Sequence, residues 1–212
     1  MDFFQIFTAF VMFIIPMLFA ITLHEAAHGY IAKLRGDNTA YTLGRVTLNP
    51  IRHIDPLGTI IVPTAMFLLG TGFLFGWAKP VPVNFANLKK PRLDMVLVAI
   101  AGPMSNFIMA IGWFLIMKYV PNFGIDQMAY YGVMLNLMLM VLNLLPIPPL
   151  DGSRVITALL TYKAQLQYNR LERWGFLILL LMLFIPVSGS NLLAMILIPA
   201  VKFGFSIIAM VF

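Results

Sequence analysis

Six long apolar runs, separated by short polar stretches, restrict what this chain can become more than any other feature. They cover roughly Phe3–Leu23, Leu57–Trp77, Leu93–Tyr119, Met128–Leu145, Trp174–Val187 and Leu192–Phe212. A helix of about 20 apolar residues crosses the ~30 Å hydrocarbon core of a bilayer, and only helices or closed barrels satisfy their backbone there. Of the 212 residues, 61% are hydrophobic and only 10% are charged, too few charges to cover a soluble domain of this length. The expected fold is an α-helical polytopic membrane protein with about five to six transmembrane helices. The first run has no small-residue cleavage site behind a short apolar core, so it reads as a retained span and not a removed signal peptide.

The formal charge of +6 would suggest an anionic partner for a soluble protein. Here the Lys and Arg residues sit in loops between apolar runs, and no basic cluster is interleaved with aromatics. They orient the chain in the lipid bilayer and speak against nucleic acid as a partner. Lys33, Arg35, Arg45 and Arg52 precede the Leu57–Trp77 run, and Lys79, Lys89, Lys90 and Arg92 follow it. Both flanks belong on the cytoplasmic side. That favours a re-entrant hairpin bent at Gly70-Thr71-Gly72, with an ordinary sixth span as the competing reading. Five full spans beside the hairpin put the N-terminus outside and the C-terminus inside. The absence of cysteine excludes disulfides, thiolate metal sites and cysteine catalysis.

Along the chain, the first helix is expected from Phe3 to Lys33, about 45 Å long at 1.5 Å per residue. Ala40–Leu43 and Arg45–Leu48 flank Gly44 and predict two short strands of a small membrane-associated β-sheet. The Pro-rich segment Ala78–Arg92 is extended. Pro146, Pro148 and Pro149 end the fourth run, and Ser153–Arg173 is a polar-to-amphipathic helical segment. No repeat or soluble unit appears, so residues 1–212 form one integral membrane domain, with a core at about 10–160 and C-terminal helices at 174–212.

His24-Glu25-Ala26-Ala27-His28 is an H-E-x-x-H pattern inside a helical run. Residues four apart share a helix face, so both imidazoles can reach one metal, with Glu25 beside them to take a proton from metal-activated water. A chance match is the bland reading. It is weakened because a charged Glu inside a membrane helix costs roughly 2.5–3.5 kcal/mol on insertion scales and is functional by default. His24 lies nine residues before Lys33, which puts the metal roughly 10–15 Å below the cytoplasmic edge.

A zinc hydrolase ordinarily has three protein ligands and one open position. The candidates for the third are His53, Asp55, Asp94, Asp126, Asp151 and Glu172. Asp126 belongs to the far side of the membrane, Glu172 sits among basic residues as a surface ion pair, and Asp94 suits a helix start. Asp151 follows a proline-broken helix end and precedes Gly152, so its carboxylate can be held at membrane depth. It could instead cap a helix starting at Ser153. Beside H-E-x-x-H, the ligand reading is favoured.

His24–His28, Ala101-Gly102-Pro103-Met104-Ser105-Asn106 and the Asn143–Gly152 segment resemble, in order, the three signature regions of the site-2 protease family of intramembrane zinc metalloproteases. The resemblance implies Zn2+ held by His24, His28 and Asp151, Glu25 as general base, and Asn143 facing the substrate carbonyl or its oxyanion. For Asn143 an interhelical hydrogen bond weighs equally. Asn106 is a candidate supporting residue behind the ligands, and Gly102 and Ser105 suit close helix packing. The chain has no room for the peptide-binding domain that many bacterial members insert, and it lacks the nucleotide-sensing domain that some append. It is similar to the compact subgroup, also through Thr47–Pro50, His53–Gly58 and Phe75–Asn84. His53 is read either as a partner near the metal or substrate path or, preferably, as a structural loop histidine.

The resemblance implies hydrolysis of peptide bonds within or near transmembrane segments of membrane-protein substrates. The site would face the cytoplasmic side of a prokaryotic cell (inner) membrane. Two other classes stay open: a polytopic zinc-binding or transport protein, and an inactive scaffold that binds transmembrane partners.

Overall fold

A computed structural model of the chain describes residues 3–62, 64–65, 77–120, 124–187 and 189–212. Helix α1 (Phe3–Leu34) is one unbroken helix of 32 residues that accommodates Pro16. A single helical turn, α2 (Thr39–Thr42), follows. Helix α3 (Pro91–Tyr119) starts on a proline, which is tolerated because the first N–H has no partner within the helix. Helix α4 (Ile125–Asn143) begins after Gly124 (φ +97°) and ends where Pro146 and Pro148 deprive the chain of N–H donors. Then come α5 (Asp151–Leu159), α6 (Tyr162–Asn169), α7 (Glu172–Phe184) and α8 (Leu192–Val211).

Among the described residues, four helices are long and apolar enough to cross a membrane, namely α1, α3, α4 and α8. Helices α1, α3 and α4 pack against one another, α5 lies against α3, and α8 against α4. Ala110, Phe114, Val133, Leu137, Val201 and Ile208 form the apolar core between α3, α4 and α8. Outward-facing Ile108, Phe184, Phe203 and Met210 are exposed, as expected of helices whose solvent is lipid.

The helix directions settle where the ends lie. Helix α1 runs antiparallel to α3, since Ala20 and His24 meet Asn106 while His28 meets Val98. Phe205 of α8 packs on Phe114, and the Lys118 ammonium meets the Phe212 carbonyl, so α8 runs parallel to α3. Both termini therefore lie at the Tyr119 end of the bundle. This corrects the expected placement of the C-terminus opposite the N-terminus. The reason is α7: its 13 residues make a helix of only about 20 Å, short of the ~30 Å core, so one expected crossing is missing.

The strands expected at Ala40–Leu43 and Arg45–Leu48 are not formed. Asp37 accepts hydrogen bonds from the Thr39 N–H and hydroxyl, which starts a helical turn instead, and Arg45 N–H closes it on the Ala40 carbonyl. The only sheet among the described residues pairs β1 (Pro186–Val187) with β2 (Ser190–Asn191) in an antiparallel hairpin between α7 and α8. The helical segment expected over Ser153–Arg173 is divided at Leu160-Thr161 and again at Arg170-Leu171. Gln165 Nε2 donates to the Thr157 and Leu160 carbonyls and so satisfies the end of α5.

The Gly70–Gly72 bend lies outside the described residues. Both ends of the Leu57–Trp77 stretch are described, however, and they meet. Trp77 N–H donates to the Gly58 carbonyl at 3.1 Å, and the Thr59 hydroxyl donates to the Trp77 carbonyl at 2.8 Å.

Candidate metal centre

Four residues apart on α1, His24 and His28 project from one face, and both are buried, at 7% and 8% exposure. Their Nε2 atoms lie 3.1 Å apart. His28 Nδ1 lies 2.7 Å from the Val98 carbonyl, which only accepts, so the imidazole proton is on Nδ1 and Nε2 offers a lone pair. His24 Nδ1 lies 2.5 Å from Asn106 Oδ1. The orientation of that amide is fixed because Asn106 Nδ2 donates to the Ala20 carbonyl and to Asn136 Oδ1, and Asn136 Nδ2 in turn donates to the Gly132 carbonyl. His24 therefore also presents a bare Nε2.

Asp151 completes the group. After α4 the chain folds back on itself so tightly that a Cβ at position 152 would lie 2.2 Å from the Leu144 carbonyl oxygen, which only glycine avoids. This turn and the first residue of α5 bring Asp151 Oδ2 to 3.2 Å from both Nε2 atoms. Asp151 Oδ2 is buried and has no hydrogen-bond donor. Two imidazole nitrogens and a carboxylate oxygen that face one another at these distances form a donor set for a cation. Their 3.1–3.2 Å separations are close to the ~3.3 Å edge of a tetrahedral site with bonds of about 2.0–2.1 Å, so nitrogen, nitrogen and oxygen here fit zinc.

The other candidates separate cleanly. Glu25, beside the cluster, accepts the Val81 N–H at Oε2, 2.7 Å away. Asn143, at the end of α4, donates to the Leu139 carbonyl of its own helix. His53 is buried at 1% exposure, bonds Thr47 through Nε2, and its carbonyl accepts the Lys79 N–H. Asp94 pairs with Arg35 at 2.6 Å, Glu172 with Arg154 at 3.0 Å, and Asp55 and Asp126 cap local turns. Sequence reasoning missed the Val98 carbonyl and Asn136. An asparagine within an apolar run of a crossing helix was the available signal for the latter.

The model of peptidase family M50 matches residues 118–186, the stretch that contains Asn143 through Gly152. A bundle of membrane-crossing helices enclosing a zinc-type donor set, together with these matches, makes the chain a member of peptidase family M50, the site-2 protease family, and a membrane zinc metalloprotease. YwhC of Bacillus subtilis (strain 168), by name a candidate zinc metalloprotease, is 44% identical over 190 residues, covering 85% of this chain and 83% of that protein. Rip2 of Mycobacterium tuberculosis (strain H37Rv), named in the same way, is 30% identical over 185 residues, covering 85% and 70%. The zinc metalloprotease MJ0392 of Methanocaldococcus jannaschii is 25% identical over 197 residues, covering 92% and 48%. No solved structure matches the chain.

Proposed function

We propose that this zinc metalloprotease hydrolyses peptide bonds within or near the transmembrane segments of membrane-protein substrates, with residues 1–212 acting as one catalytic domain. His24, His28 and Asp151 hold the metal, and Glu25 is the general base. The observation that carries this reading is the meeting of two imidazole nitrogens and a carboxylate oxygen inside a bundle of membrane-crossing helices, with a carboxylate at the adjacent position. A zinc ion held by these residues supplies a Lewis acid that polarises the scissile carbonyl and acidifies water. Glu25 Oε2 is anchored by the Val81 N–H, which leaves Oε1 to accept a proton and return it to the leaving amine. Asn143 Nδ2 donates to the Leu139 carbonyl, so service at the oxyanion requires its amide to turn away from its own helix.

The basic loops support a cytoplasmic-facing site in a prokaryotic inner membrane. Lys89 N–H bonds the Arg35 carbonyl, and Arg45 reaches the Lys79 carbonyl, so these residues gather at one end of the bundle. The extended segment 78–83 suits a substrate unwound from its helix. Its Lys79 and Val81 N–H groups point inward, and Pro82, which has no N–H, leaves the opposite edge with a carbonyl acceptor for an added strand.

The test compares wild type with Glu25→Gln in zinc content and in cleavage of a panel of membrane substrates. The protease reading expects equal zinc and a loss of cleavage of about 10²–10⁴-fold. A metal carrier or an inactive scaffold would bind zinc and cleave nothing in either form.

A further inference from the structure

Val98, Gly102 and Asn106 are spaced four residues apart on α3 and share one face. That face lies antiparallel to the two histidines of α1. The Val98 carbonyl takes the Nδ1–H of His28, and Asn106 Oδ1 takes that of His24. Between these two acceptors stands a residue without a side chain. A Cβ on Gly102 would lie 2.4 Å from His28 Nε2 and 2.6 Å from both Nε2 and Cε1 of His24. These imidazole atoms are the nearest neighbours of that point. Gly132 provides the contrast, since the nearest neighbour of its Cβ would be the ring of Trp113, the signature of a glycine kept for helix packing.

We infer that Gly102 is a positioning residue for the metal. By carrying no side chain it clears the volume that an ion bonded to both Nε2 atoms needs, while Val98 and Asn106, one turn to either side, fix which nitrogen each ring presents. The inference rests on the ligand role proposed for His24 and His28. Zinc–nitrogen bonds are about 2.0–2.1 Å long. A methyl carbon 2.4–2.6 Å from the same two nitrogens is far inside van der Waals contact, so it cannot coexist with both rings in these positions. Alanine at 102 displaces either the metal or the rings that hold it.

The experiment measures zinc per chain and zinc affinity, by competition with a chromophoric chelator, on the full chain purified in detergent. Wild type should carry about one zinc. Gly102→Ala should bind it at least about 10- to 100-fold more weakly, the scale on which disturbed ligand support acts. Its helical content and elution profile should match those of chelator-stripped wild type. Gly102→Ala that binds zinc as tightly as a zinc-binding wild type overturns this inference alone. Wild type that binds no zinc overturns the ligand reading and this inference with it. If Gly102→Ala does not fold, the triple variant Gly102→Ala with His24→Ala and His28→Ala decides, because removing both imidazoles makes room for the methyl. Recovery of a folded protein supports the assignment, and failure of the triple variant to fold, where His24→Ala with His28→Ala folds, overturns it.

Discussion

The side-chain oxygen of Asn106 lies 2.5 Å from Nδ1 of His24, 82 residues away in sequence, and so decides which nitrogen of that ring faces the metal group. Asn106 is itself held by Asn136. Partners behind metal-binding histidines typically change affinity by about 10–100-fold when removed. Asn106→Ala should weaken zinc binding on that scale, whereas Asn106→Asp, which keeps an acceptor, should lose less. Asn136→Leu should fall between wild type and Asn106→Ala. Chelator competition on the detergent-purified variants checks the order, and equal affinity across the series would remove the relay from the account.

Asp37 is fully buried just beyond the end of α1 and ties two loops together. It accepts from the Thr39 N–H and hydroxyl, the Asn84 N–H and the Asn87 side-chain amide. Burial pushes its carboxyl up, but these hydrogen bonds outweigh burial and hold it below the usual 3.8. A depressed carboxyl stabilises the fold fully above 3.8 and loses that contribution as pH falls through the lower, folded value. Asp37→Asn should therefore lower Tm at neutral pH, and the gap from wild type should narrow below about pH 4. Thermal melts across that range test it. A gap that widens on acidification would contradict the assignment.

Two ion pairs of similar length should differ sharply in weight. Arg35–Asp94 has a fully buried carboxylate that also accepts the Lys90 N–H, while both partners of Arg154–Glu172 are partly exposed. Exposed pairs contribute about 0–1 kcal/mol, whereas removing the buried Asp94 carboxylate leaves the Lys90 N–H without its acceptor and a hole in the packing. Asp94→Ala should lower Tm by several degrees or prevent folding, and Glu172→Ala should leave it nearly unchanged. Melting the two variants side by side decides, and a larger loss for Glu172→Ala would reverse the ranking of the pairs.

How far the sequence could be read depends on the range of each interaction. His24 and His28 are four apart on one helix, so periodicity alone puts them on one face. The proline run before Asp151 announces a broken helix end, and the turn there delivers the carboxylate. The Val98 carbonyl was illegible because any residue offers a carbonyl, and only the packing of α3 on α1 makes this one a partner of His28. The mistaken strands at 40–48 have a similar cause. Gly44 does turn the chain, at φ +63°, but Asp37 captures Thr39 and starts a helical turn. The C-terminal end went wrong on length, because an apolar run long enough to suggest a crossing forms only a 13-residue helix before the hairpin at Pro186–Asn191.

The segment that carries Val81 offers a way to alter catalysis without touching the metal. Glu25 Oε2 is held by the Val81 N–H, so the position of this backbone sets the position of the proposed base. The segment is pinned along its length: Trp77 to Gly58, Lys79 to His53, and Asn84 to Asp37. Arg45 adds Nη2 contacts to the Lys79 and Pro80 carbonyls at 2.8 and 3.4 Å, immediately before Val81. Removing that guanidinium frees the segment where its placement matters most, and small misplacements of catalytic groups are costly in rate. Arg45→Ala should retain wild-type zinc content and slow single-turnover cleavage by about tenfold. Arg45→Lys, which restores a charge but not the reach of the planar fork, should recover only part of the rate. Loss of zinc in Arg45→Ala would place its effect on the fold, and an unchanged rate would separate this segment from the chemistry of Glu25.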